Sequence, residues 1–239
     1  MNQPSTYRRN IAAAGLIATA VLSAVSVALQ PALTGDGAQR LSALRDAAPS
    51  AAISAATFVL AQLPLIVGVL GIGHLLRSRA PKLSASGATL AVLGAFGHAV
   101  IGGVMLLQVA MATDSDAGRR TAYAALVDQM GNTPVMLFSL AGLAGTVVGL
   151  LLLAVGLWRS QVVARWVPAT LIAFLVVEFA GGAVSDAASY LSSVCLLAAF
   201  GGTAIAILRS PAHSWSTPAN LPAPSQPAVA DSLRQGQQA

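Results

Sequence analysis

Six long apolar stretches dominate this 239-residue chain, and each is long enough to cross a lipid bilayer. A helix rises about 1.5 Å per residue, so about 20 apolar residues cover the ~30 Å hydrocarbon layer. The stretches run over residues 10–30, 52–76, 84–112, 134–158, 164–184 and 188–208. In lipid, every backbone N–H and C=O must find its partner within the protein, which leaves helices as the economical solution. A barrel would alternate apolar with polar residues, whereas these runs are apolar on all sides. The sequence predicts an all-α polytopic transmembrane bundle of six helices.

Composition agrees. Charged residues make up 9% of the chain, against about 25% in soluble domains. Hydrophobic residues make up 56% and the mean hydropathy is +0.73. The net charge of +5 carries no cluster of basic and aromatic residues, so nucleic acid is not expected as a partner. The single cysteine, Cys195, excludes an internal disulfide and sits in an apolar run without a basic neighbour.

The positive excess has a topological meaning. Arg8 and Arg9 precede the first span, Arg77, Arg79 and Lys82 lie between the second and third, Arg159 and Arg165 between the fourth and fifth, and Arg209 after the sixth. With six spans all of these fall on one side. The other side mixes Arg40, Arg45, Arg119 and Arg120 with Asp36, Asp46, Asp114, Asp116, Asp128 and Asp186. The positive-inside rule places both termini in the cytoplasm, and Trp158 and Trp166 bracket a cytoplasmic turn at headgroup level. The expected location is the plasma membrane, multi-pass. The first span starts like a secretory signal, but its apolar core exceeds the usual length, and it is read as an uncleaved helix.

Residues 1–209 form the predicted membrane domain. Residues 210–239, rich in Pro, Ala, Ser and Gln, read as a disordered cytoplasmic tail in which His213 and Trp215 have no constellation around them. The loops 31–51 and 113–133 read as solvated connectors with short surface helices at Ala38–Ala47 and Arg119–Met130. A weak repeat joins Ala43-Leu44-Arg45-Asp46 and Arg77-Ser78 to Ala125-Leu126-Val127-Asp128 and Arg159-Ser160. It aligns His98 with Glu178. Either a duplicated two-helix unit or chance matching in an Ala/Gly/Leu/Val-rich chain explains it.

Helix association in lipid relies on close packing and interhelical hydrogen bonds. The third span has a stripe of small residues four apart, Gly87, Ala91, Ala95, Ala99 and Gly103; the fourth offers Gly145 and Gly149, the sixth Gly202. The third span is therefore expected near the centre of the bundle. The same stripes could serve a homo-oligomer or a membrane-protein partner. Pro64 lies deep in the second span and should kink it, whereas Pro168 lies in a first turn, where proline is tolerated.

Glu178 and His98 are the ionisable residues read as deep in a span, and an intramembrane charge is a functional candidate by default. They are expected to pair. A proton relay, a substrate anchor, a metal ligand and a packing pair are the open roles. Gln62 and Gln108 are expected to bond across helices, and Gln62 also to satisfy backbone freed by Pro64. His74 reads as interfacial. There is no Gly-x-Ser-x-Gly elbow, His-Glu-x-x-His, Walker loop, dinucleotide fingerprint or Cys-x-x-Cys. No catalytic residue, metal or cofactor is expected.

The strings Leu63-Pro64-Leu65, Gly71-Ile72-Gly73-His74-Leu75-Leu76, Gly97-His98-Ala99-Val100 and Arg165-Trp166-Val167-Pro168 give the region Tyr7–Arg209 a resemblance to six-span integral membrane proteins of high-GC, actinobacterial-type bacteria. That group brings no activity to transfer, so the resemblance implies membrane location only. Three readings remain: a non-enzymatic membrane protein, a small proton-coupled carrier using Glu178 and His98, and an intramembrane lipid- or quinone-handling enzyme.

Overall fold

The computed structural model describes residues 4–181 and 187–216, and among them every regular element is helical. Eight α-helices run in order: α1 Pro4–Leu29, α2 Gly37–Asp46, α3 Ala48–Leu76, α4 Pro81–Ala112, α5 Ala117–Gln129, α6 Val135–Ser160, α7 Trp166–Gly181 and α8 Ala188–Arg209. Each predicted span holds one of the long elements. Five of them, α1, α3, α4, α6 and α8, are long and apolar enough to cross a membrane. The sixth, α7, is apolar but shorter at 16 residues. The predicted end of its span, with Asp186, lies outside the described residues.

The long helices close into a ring, α1–α3–α4–α6–α7–α8 and back to α1. Neighbours run antiparallel: Gly15 meets Gly68 while Ala12 meets Gly71, and Gly97 meets Gly142 while Gly87 meets Gly149. Both described chain ends therefore share one face, here the termini face. The opposite, loop face carries α2 and α5. The expectation that the third span is central does not hold: among the long helices α4 packs on α3 and α6 alone, as one stave of the ring.

Small residues set the closest seams. A Cβ at Gly145 would lie 2.7 Å from the Gly94 amide nitrogen, and one at Gly149 2.8 Å from the Ala91 Cα, so on these sides backbone meets backbone. Gly87 faces Leu153, Gly202 faces Val167 and Trp166, and Ala95 is fully buried. The stripe departs from its predicted course at its far end. Each four-residue step turns about 40° beyond a full circle, so Gly103 stands nearly opposite Gly87. It meets nothing within 4 Å, and Ala99 is only half-buried. Glycines three and seven apart, Gly87, Gly94 and Gly97, follow the seam instead. A second seam, unforeseen, joins α1 to α3 through Gly15, Gly68 and Gly71.

Outward faces are apolar too: Leu63 is 67% exposed and Leu137 70%. Such side chains have a natural solvent only in lipid. Pro64 leaves α3 helical throughout Ala48–Leu76. The Gln62 side chain does not reach the carbonyl of Leu60 that Pro64 frees; its Nε2 donates to Phe58 O at 2.8 Å.

At the termini face the start of the predicted tail is folded, which corrects that expectation for residues 210–216. A 3-10 turn, Ala212–Trp215, tucks under the ring and buries Trp215. Its indole stacks on His74 with centroids 4.2 Å apart and donates to Ser210 Oγ at 2.8 Å. His74 Nε2 lies 2.9 Å from Ser214 O, and Arg77 donates to the same carbonyl. Residues 217–239 lie outside the described residues. Arg77, Arg79, Lys82, Arg159, Arg165 and Arg209 all stand exposed at this face, and Arg79 donates to Ser160 O at 2.8 Å, joining two turns. Every acidic side chain among the described residues stands toward the other end.

At the loop face the two connectors form a layer of their own rather than solvated links. Asp36 caps α2 in a capping box with Gln39, and Asp116 caps α5. Asp128 of α5 accepts from the Gly37 amide at 2.6 Å, and Leu41, Leu44, Ala124 and Val127 share an apolar cluster with Val109 and Ala112 of α4. Asp114 accepts from the Arg119 side chain at 2.7 Å and from the Asp116 amide at 2.9 Å; the Arg119 bond is the main cause holding the Asp114 carboxyl below its ordinary range.

Candidate functional site

The interior of the ring differs along its axis. Toward the termini face it is filled by Leu16, Ile72, Leu76, Leu153, Leu157 and Ile207, each 0% exposed. Toward the loop face it opens into a cavity of about 170 Å³ to which all six long helices contribute. Three of the four polar candidates, Gln62, His98 and Glu178, line this one space. Gln108 does not; its Nε2 approaches Met130 Sδ at 3.2 Å, outside the cavity.

Local structure places each group. His98 follows the Gly94–Gly97 seam, so the close approach of α6 sets Thr146 beside its ring. The Thr146 hydroxyl lies 3.0 Å from His98 Nδ1, and the imidazole meets Phe58 edge-on at 5.7 Å. Glu178 lies in the last turn of α7 and is exposed, which corrects its expected deep placement. It accepts a hydrogen bond from Ser192 Oγ of α8. The expected Glu178–His98 pair is not formed. No hydrogen bond joins them, and each holds its own hydroxyl across a different seam.

Two features of the hydrogen bonding matter for chemistry. Ser192 has one hydrogen for two acceptors, Glu178 Oε2 and the Ser189 carbonyl at 2.8 Å. Gln62 is 6% exposed, and its Oε1 is buried with no partner. Because Nε2 faces a carbonyl, the amide cannot be flipped to relieve this. An orphaned buried acceptor costs about 1–3 kcal/mol, a cost that a bound molecule could remove.

Thr146 and Ser192 were missed in the sequence. Ser192 belongs to the serine-rich stretch Ser189–Ser193 inside an apolar span, a signal that could have drawn attention to it. Thr146 had no comparable mark. Among the described residues no group of three or more His, Cys, Asp or Glu could hold a metal ion.

A second, shallower concavity of about 940 Å³ lies at the termini face, where Arg77, Arg79 and Arg209 surround Trp166 and Trp215. Comparison with known proteins found no matching family model, no matching curated protein and no matching solved structure.

Proposed function

We propose that this chain is a six-span, multi-pass protein of a bacterial plasma membrane, with both termini cytoplasmic, and that it is a small proton-coupled carrier. The observation that carries the reading is the cavity built from all six long helices, with Glu178, His98 and Gln62 on its wall and an apolar plug behind it. A carrier needs a site reached from one side and closed on the other, and ionisable groups within it. In the proposed orientation the cavity looks outward and the plug faces the cytoplasm. The basic groove at the termini face suits the anionic headgroups of the inner leaflet. The reading of a non-enzymatic assembly partner leaves the cavity without a purpose. A lipid- or quinone-handling enzyme needs a lateral opening lined by His98, Glu178 or Gln108; the first two line this cavity and Gln108 stands outside it.

Proton movement is the direct test. Proteoliposomes loaded with a pH-sensitive dye receive a pH gradient and one of three solutes: choline, 3,3-dimethylbutan-1-ol or pivalate. Wild type should show solute-dependent proton flux, and Glu178→Gln should reduce it at least tenfold while still inserting and folding. Flux equal to that of protein-free liposomes with every solute sinks the proposal.

A further inference from the structure

We infer that the cavity near the loop face takes a small organic cation that also carries a hydrogen-bond donor, a primary ammonium or a hydroxyl-bearing quaternary ammonium; this rests on the cavity being a solute site. The wall is rich in acceptors. Glu178 is the only glutamate in the chain, and its carboxylate stands at the rim. Gln62 Oε1, on a side chain more than nine-tenths buried, lacks a donor.

Three of the hydroxyls add lone pairs rather than hydrogens. Thr19 Oγ1 donates to Gly15 O at 2.8 Å, Ser26 Oγ to Ser54 O at 2.9 Å and Ser193 Oγ to Ser189 O at 3.0 Å. Each has one hydrogen and commits it to a helix carbonyl, so what remains toward the cavity is acceptor. No lysine or arginine lines the space.

Aromatic residues complete the set. Four of the six phenylalanines, Phe58, Phe174, Phe179 and Phe200, line this cavity. Phenyl rings attract cations electrostatically, and carboxylates with aromatic side chains are the usual means of holding ammonium groups. An anion would meet the carboxylate without a compensating cation, and a neutral apolar solute would leave Gln62 Oε1 orphaned. The space is about that of six waters, at about 30 Å³ each. That limits the ligand to a compact headgroup.

Thermal unfolding of the purified full chain in detergent, with three isosteric probes, tests the assignment. Choline should raise the Tm in a saturable way; 3,3-dimethylbutan-1-ol, its neutral isostere, and the anion pivalate should not. Glu178→Gln should remove the choline response. Gln62→Leu should keep or raise the basal Tm, because the orphaned acceptor is gone, yet weaken choline binding about tenfold. A merely structural glutamine would not separate those two readouts. Equal shifts from choline and its neutral isostere overturn the cation assignment and leave the solute site standing. A response to none of the three overturns both. Should Glu178→Gln fail to fold, an unchanged choline affinity in Gln62→Leu overturns the assignment by itself.

Discussion

The two halves of the ring are built from the same helices and differ in what those helices point inward. Near the termini face the inward positions are Leu16 of α1, Ile72 and Leu76 of α3, Leu153 and Leu157 of α6, and Ile207 of α8, all 0% exposed. About one to four turns further toward the loop face, the same helices present Thr19 and Ser26, Gln62, Thr146 and Ser192. The glycine seams hold α4 against α6 through both halves, so backbone spacing there does not change abruptly. The cavity is therefore made by shorter, polar side chains on a continuous scaffold. One half is arranged to exclude everything, the other to leave room and unmet hydrogen bonds.

The plug gives the largest expected effect. Leu153→Ala removes a fully enclosed side chain where glycine seams limit collapse, and should lower stability by about 2–5 kcal/mol. The equivalent truncation in the other half, Thr146→Ala, removes the hydroxyl beside His98 next to existing space and should lower it by less than about 1.5 kcal/mol. Thermal or denaturant unfolding of both variants in one detergent checks the contrast. Equal losses would mean the halves are packed alike.

Glycine substitutions sharpen the same picture. Gly145→Ala forces a methyl to within 2.7 Å of the Gly94 amide nitrogen, where backbone cannot yield cheaply. A loss of about 1–3 kcal/mol is expected. Gly103→Ala meets nothing within 4 Å and should be neutral or stabilising by up to about 1 kcal/mol, the helix propensity difference. Unfolding measurements that rank the two the other way would refute the placement of the α4–α6 seam.

What the sequence made legible was whatever depends on one dimension. Span positions follow from runs of apolar residues, and the shared face of the chain ends follows from their count. The short helices in the two connectors were legible as well, and Asp36 and Asp116 cap them at like places. Azimuth was not legible. His98 and Glu178 both read as deep in their spans, but an apolar run says neither where its helix ends nor which neighbour each residue faces, so Thr146 and Ser192 took the positions expected of one another's partner. The stripe ending at Gly103 failed for the related reason that steps of four wind around a helix of 3.6 residues per turn. The docking of Trp215 on His74 joins residues 141 apart, and the α2–α5 layer joins Gly37 to Asp128. Neither contact leaves a local periodic trace. A lone tryptophan in a Pro/Ser-rich run was nevertheless a hint, since a large indole seeks a surface to cover.

The smallest effect belongs to the loop layer and separates it from the ring beneath. Asp114 accepts from the Arg119 side chain, from the Asp116 amide and, at 3.4 Å, from the Tyr123 hydroxyl. Those bonds favour the ionised carboxylate, with Arg119 the foremost cause, so its folded pKa lies below the unfolded value of about 3.9. By linkage, the stabilisation is fully present above the unfolded pKa and fades as pH falls through the depressed folded one. The carboxyl stands in a surface layer beside water, so screening keeps its contribution small. Lowering the pH from 6 to 3 should lower the protection factors of the α5 amides in wild type, each rate being referred to the intrinsic rate at its own pH, while Asp114→Asn should show lowered protection already at pH 6 and little further change. The fully buried helix segments around Leu153 and Ile72 contain no carboxyl group, so their protection should stay flat across the same window. If α5 and those segments loosen together, the loop layer and the ring form one cooperative unit, and the division between the halves is a difference of side chains alone.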